Sequence, residues 1–289
     1  MRIAVVTDSA AGFPAGWRLP GGPAEGIGVV PMPVLVGDEI LTGEYDDVTE
    51  PLMMALAAGA DVRTSRPSPG RFDRLFGRLA DDGYDGIVSV HLSGLLSGTV
   101  DAARLAASRA RVPVEVIDTR TAAMAQGRAA LAALVAARGG GDLQASAAAA
   151  AMAARGSALF FYVPSLEQLR RGGRISGAAG WLGTLLSVRV ILHVRGGRLV
   201  PLERMRTAAR GLQRLQELAE VDVARRGRGA RLTVHHFGSE EEAAALVERL
   251  ELSVGSGMVS LAPCPAVLAA HAGLGVVAVT VSAEQPGLA

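Results

Sequence analysis

The first half of the chain alternates short, continuously apolar runs with longer segments of helical periodicity, and few architectures satisfy that pattern. Arg2 to Thr7, Ile87 to Val90 and Val114 to Asp118 have strand length, and Arg2 to Thr7 is a run of the buried kind. Strands of this kind are apolar toward both faces and belong in a parallel sheet covered on both sides. Between them, Arg71 to Ala80 places Phe72, Leu75, Phe76 and Leu79 on one helical face. Thr99 to Ala110 and Ala122 to Arg138 also read as helices. The repeated strand–helix–strand order predicts an N-terminal, mostly parallel α/β/α three-layer unit.

Further extended runs are expected at Ile27 to Val36, and a helix at Thr49 to Ala58 with Thr49 as N-cap. Gly139-Gly140-Gly141-Asp142 interrupts the pattern before an alanine-rich helix at Ala145 to Ala154. After Gly156 the order changes. A strand at Ala158 to Val163 and a short helix at Ser165 to Arg171 precede a glycine-rich turn. Glycines 173, 177, 180 and 183 suit close helix packing. Val188 to Val194 and Arg198 to Leu202, joined by Arg195-Gly196-Gly197, read as a hairpin. A helix at Arg206 to Ala224, a strand at Arg231 to Phe237 and a helix at Ser239 to Glu251 follow. The uncharged run Leu252 to Ala283 is broken by Pro263, Pro265 and glycines, so it reads as strand, short helix, strand rather than a membrane span. The expected organisation is two α/β domains, 1–155 and 156–289, the second with a mixed sheet.

Composition closes several routes. The 289 residues are 49% hydrophobic and 20% charged, as a globular chain is, and the formal net charge of +1 gives no reason to expect nucleic acid. Every basic side chain other than histidine is Arg, which excludes a Schiff-base lysine and a Walker-type phosphate lysine. The single cysteine, Cys264, permits no internal disulfide and reads as a buried structural thiol. No group of His, Cys, Asp and Glu has metal-ligand spacing, so no metal and no cofactor are expected. The N-terminus reads as a strand without a signal peptide, and a cytoplasmic protein is the expectation.

Two hydroxyl-rich turns carry the candidate site. Thr64-Ser65-Arg66-Pro67-Ser68-Pro69-Gly70 precedes a helix for which Ser68 is the natural N-cap and Pro69 the first residue, leaving Thr64 and Ser65 free. Ser93-Gly94-Leu95-Leu96-Ser97-Gly98-Thr99 follows a strand, and with Thr99 as cap it leaves Ser93, Ser97 and the glycine amides available. Hydroxyls and amides at the end of a sheet can hold an anion. The serine spacing is not that of a hydrolase elbow. His271 stands alone in Ala269-Ala270-His271-Ala272-Gly273-Leu274-Gly275, a setting that suits a satisfied core residue as well as a ligand. His235 and His236 alternate on a strand and suggest no function.

Several segments occur in a characteristic order: Val6-Thr7-Asp8-Ser9, the Thr64–Phe72 turn, Leu96-Ser97-Gly98-Thr99, Val116-Ile117-Asp118-Thr119, and Leu166 to Ser176 with its Arg170-Arg171-Gly172-Gly173-Arg174 core. Arg204-Met205-Arg206-Thr207 and the His271 turn complete the set. The set resembles the DegV family of fatty-acid-binding proteins. The resemblance implies a buried long-chain fatty acid and a role as the non-enzymatic, lipid-binding subunit of a bacterial fatty acid kinase system. There a separate ATP-dependent kinase converts the bound acid to acyl phosphate. It also implies that Thr64 and Ser93, with Ser65 and Gly94 beside them, hold the carboxylate next to His271. Arg206 would dock the kinase. Neutral donors rather than a bidentate arginine are expected at the head group. Two departures stand out: Ser93-Gly94-Leu95 is one residue longer before Leu96 than the family's Ser-Ser, and the His271 turn lacks a customary proline. An esterase using Ser93 or Ser97, and a phosphate-ligand binder using the same turns, are the competing readings from the residues themselves.

Overall fold

The computed structural model describes residues 1–41, 45–175, 188–227 and 229–283. Its N-terminal sheet contains β1 (Ile3–Asp8), β2 (Gly28–Val30), β6 (Gly86–His91) and β7 (Val114–Asp118), in the order β2-β1-β6-β7. All its pairings are parallel. Side-chain alternation sends the apolar residues of β1 and β6 to both faces of the sheet. Ile3, Val5, Val88 and Val90 point to one face, where α4 (Ala123–Arg138) and α5 (Leu143–Arg155) pack. Ala4, Val6 and Ile87 point to the other, against α2 (Pro69–Asp81) and α3 (Thr99–Ala107). Phe72 and Phe76 anchor that second face and are buried. Each contributes about 2–3 kcal/mol by removal from water. The predicted parallel three-layer arrangement is therefore present.

The C-terminal sheet is mixed. It comprises β8 (Ser157–Val163), β9 (Arg189–Arg195), β10 (Arg198–Met205), β11 (Arg231–Phe237), β12 (Val259–Pro263) and β13 (Val276–Ser282), ordered β10-β9-β8-β13-β11-β12. Only β11–β12 is parallel. The β9–β10 turn is the expected hairpin, with Gly196 and Gly197 both at positive φ. Helices α7 (Ala208–Arg226) and α8 (Glu240–Val254) cover one face through Leu215, Leu246 and Leu250. The other face, with Phe161, Val163, Val190 and Leu192, shares a core with Met32, Leu92 and Ala122 of the N-terminal half and with α9 (Ala266–Ala272). The short α6 (Glu167–Arg171) closes one end and packs on α9. That shared core holds the candidate site.

The structure corrects three local expectations and adds a small sheet. Ile27 to Val36 is not one run: β2 and β3 (Val34–Val36) lie in different sheets, divided by Pro31 and Pro33, which cannot donate to a ladder. β3 is the centre of a small antiparallel sheet between β4 (Glu39–Leu41) and β5 (Val62–Thr64), two three-residue strands too short and too polar to announce themselves. Thr49 is not a cap, because α1 (Tyr45–Ala57) starts four residues earlier and carries Pro51 in its interior. Thr99 is the first helical residue of α3 behind Gly98, and its hydroxyl bonds Ser97 Oγ at 2.9 Å. Gly177, Gly180 and Gly183 lie outside the described residues.

Candidate functional site

Beside the C-terminal end of β6, the two halves form a narrow cleft. Apolar side chains form most of its wall: Leu92 and Ala122 from the N-terminal half, Phe161, Val163 and Leu192 from the mixed sheet, and Val267 and Leu268 from α9. The polar groups are Thr64, Ser65, Arg66, Ser97, Arg174 and His271. A largely apolar cavity with a few convergent polar groups suits a ligand with a long apolar body and a polar end.

Thr64 and His271 meet across the site. β5 ends at Thr64, β3 holds it in register through Val34, and His271 sits near the C-terminus of α9. Thr64 Oγ1 lies 2.8 Å from His271 Nε2. The opposite edge of the imidazole rests on Gly172, where a Cβ would stand 2.3 Å from Nδ1. Only glycine leaves the ring this position. Burial, and secondarily the positive field of Arg174, push the His271 pKa down to about 4. The imidazole is therefore neutral near pH 7 and offers the site one N–H and one lone pair. Ser65 is exposed at the rim, its amide donating to Pro33 O at 3.1 Å.

The structure separates Ser93 and Gly94 from this group. Ser93 is fully buried and all its polar atoms are engaged. Its Oγ donates to Gly197 O at 2.7 Å and accepts from Leu95 N at 3.2 Å. Its amide donates to Thr121 O, and its carbonyl receives Leu96 N and Ser97 N. Ser93 thus ties together the segments that carry Leu96 and Ser97, Ala122, and Leu199, all of which line the cleft. Gly94 N donates to Asp118 Oδ1 at 3.1 Å. Ser97, not Ser93, is the hydroxyl of this turn that lines the cleft.

Two arginines line a site expected to hold only neutral donors. Arg174 Nε donates to Leu96 O at 3.3 Å, and its Nη1 donates to Gly172 O. Much of its donor capacity is spent on the wall. Arg66 packs over Gly98, where a Cβ would come within 2.8 Å of Nη1. Among the described residues it has no hydrogen-bond or ion-pair partner. Arg66 follows directly on Thr64-Ser65, so its place beside them is a signal the sequence carries. Arg206, just beyond β10, lines a separate groove with Glu203, Arg210 and Arg214. Among the described residues no group of His, Cys, Asp and Glu is arranged to hold a metal, and no helix is long and apolar enough to cross a membrane.

The esterase reading finds its geometry in the wrong place. Ser89 Oγ lies 2.6 Å from His91 Nε2, and His91 Nδ1 lies 2.9 Å from Asp8 Oδ2. All three side chains are fully buried, so no ester can reach the serine. Gln126 Nε2 donates to Asp8 Oδ1 and Thr7 Oγ1, which completes a structural network. In the cleft itself, Ser97 pairs with Thr99, and among the described residues no carboxylate is hydrogen-bonded to His271.

Parallel and mixed sheets packed around an apolar cleft with a polar mouth define an α/β protein with a pocket shaped for a small molecule. The chain belongs to the DegV family: the sequence profile of the DegV family of uncharacterised proteins matches residues 2–284. It is 43% identical to a DegV domain-containing protein of Streptomyces coelicolor, over 98% of this chain and 99% of that one. A DegV domain-containing protein of Mycobacterium tuberculosis is 38% identical, over 97% of each chain. The fold matches a Thermus thermophilus DegV family protein described by its fatty acid binding, with TM-score 0.86 and 32% identity over 98% of this chain and 100% of that one. It also matches DegV of Bacillus subtilis, described as a fatty acid binding protein, with TM-score 0.84 and 29% identity over 98% and 100%.

Proposed function

We propose that this protein binds a long-chain fatty acid, with the acyl chain in the apolar cleft and the carboxylate at its polar mouth, and presents that carboxylate to a separate ATP-dependent kinase. The observation that carries the reading is the Thr64–His271 pair at the end of an otherwise apolar wall. Fatty acid binding by DegV relatives of similar fold supports it.

The energetics follow from the two ends of the ligand. About fifteen methylenes offer on the order of 12 kcal/mol gross when buried. Ordering the chain removes part of that and still leaves tight binding. A dry carboxylate needs partners. Thr64, Ser65, Ser97 and neutral His271 provide them at modest strength, and Arg66 adds charge from the exposed rim. Arg174 is tied to the wall through Leu96 O and Gly172 O, so neither arginine need enclose both oxygens, and one oxygen stays free to act as nucleophile.

In the kinase step that oxygen attacks the γ-phosphorus of ATP. A carboxylate O–P bond forms, the P–O bond to the β-phosphate oxygen breaks, and ADP leaves. This chain holds the nucleophile, and the partner supplies ATP and the charge stabilisation. The Arg206 groove is the docking surface in this reading. Palmitate bound to the protein should become acyl phosphate when ATP and a fatty acid kinase subunit are added. Arg206→Ala should slow that step and leave palmitate binding unchanged. Palmitate that binds but is never phosphorylated under these conditions would overturn the presenting role.

A further inference from the structure

A second apolar chamber adjoins the cleft. It lies at the C-terminal ends of β1 and β2 and opens to solvent. Phe13, Leu19, Val34, Val48, Pro265 and Ala266 form much of its wall. Met32 and Val267 line both spaces and are the wall between them.

That wall lies beside the head-group end of the cleft. Val267 precedes His271 by four residues on α9, about 6 Å along the helix axis. Val34, inside the second chamber, is the cross-strand partner of Thr64. Cross-strand partners stand roughly 5 Å apart. The chamber therefore opens next to the first carbons of an acyl chain whose carboxylate sits at Thr64 and His271. Methionine suits a movable partition, being unbranched, with three rotatable bonds. Met32 is buried in the shared core, and its amide donates to Ser9 Oγ at 3.0 Å.

We propose that this chamber receives a second alkyl chain carried close to the carboxyl group, and that the protein accepts 2-alkyl-branched fatty acids as well as straight ones. The inference rests on the fatty acid reading above. A straight chain fills the cleft alone. A branch at the carbon next to the carboxylate has to pass sideways, and the Met32–Val267 wall stands at that level.

The test compares palmitate with its isomer 2-hexyldecanoic acid, which has the same atoms but a six-carbon branch beside the carboxyl group. Affinities are measured by titration calorimetry on the wild type, Ala266→Phe and Met32→Ala. Ala266 lines only the second chamber. The wild type should bind both acids. Phe at position 266 should weaken the branched acid by about tenfold or more and leave palmitate unchanged, and Met32→Ala should shift the preference toward the branched acid. Melting temperatures confirm that each variant is folded. Two results overturn the inference: wild type that binds palmitate and refuses the isomer, or a preference between the two acids that neither substitution changes. Wild type that binds neither acid instead overturns the fatty acid reading and takes this inference with it.

Discussion

Ser93→Ala separates a head-group ligand from a structural tie. If Ser93 held the carboxylate, its loss would remove a hydrogen bond to a charged group, worth about 1.5–3 kcal/mol of binding, and would leave stability nearly unchanged. The structure gives the reverse. The Ser93 hydroxyl faces Gly197 O and Leu95 N, not the cleft. Gly197 is buried and sits at φ +86, and it approaches so closely that a Cβ there would lie 2.7 Å from Ser93 Oγ. No water replaces the lost hydroxyl without displacing this turn. An orphaned buried carbonyl costs about 1–3 kcal/mol. At roughly 2 °C per kcal/mol for a chain of this size, the melting temperature should fall by about 4 °C. Differential scanning calorimetry measures that, and palmitate titration on the same samples measures binding. Palmitate affinity should stay within about threefold of wild type, less than the ~1.4 kcal/mol that a tenfold change represents. Ser97→Ala should show the opposite pattern, with weaker binding and an unaltered melt. Tenfold weaker binding with an unchanged melt in Ser93→Ala would refute this reasoning.

Other outcomes follow from the same geometry. Gly172→Ala should push the imidazole off Thr64 and weaken palmitate binding about tenfold, since the new methyl would meet Nδ1 at 2.3 Å; calorimetry reads the loss. Burial holds the His235 pKa at about 4 against an ordinary 6.5. Below pH 6.5 the unfolded chain takes up the proton first, so this stability is full above pH 6.5 and declines toward pH 4, by about 3 kcal/mol in all. His271 acts in the same direction, and denaturant midpoints measured against pH should fall less steeply in His271→Asn than in wild type. Phe72→Ala should destabilise the fold by about 3–5 kcal/mol, because the ring is fully buried between α2 and the sheet and stands edge-on to His91.

What the sequence revealed, and what it withheld, depended on the range of the interactions. β1, β6 and the α2 face were legible because both-sided burial imposes continuous apolarity and a helix imposes its own period. The hairpin at Gly196-Gly197 was legible because its turn needs positive φ at adjacent positions. β4 and β5 were not, since three-residue strands with exposed Glu39 and Arg63 carry no periodic signal. At the site, Thr64 and His271 were found separately, through turn chemistry and family resemblance. That they touch depends on the packing of α9 against β5, which no local pattern encodes. Ser93 and Ser97 look alike in sequence. Which one faces the cleft is decided by Gly197, more than one hundred residues away. That Arg66 and Arg174 share one mouth was not legible, because a mouth shared by two halves of a chain is invisible until those halves meet.

The central claim is that the cleft lined by Phe161, Leu192 and Leu268 closes on an acyl chain while Thr64 and His271 hold its carboxylate. Native mass spectrometry of the protein titrated with palmitate tests it most directly. The expected spectrum shows one palmitate per chain at saturation, with occupancy sharply reduced in a Thr64→Ala/His271→Ala double variant that remains folded. A wild-type spectrum without added mass at any palmitate concentration, or a double variant as fully occupied as wild type, contradicts the account.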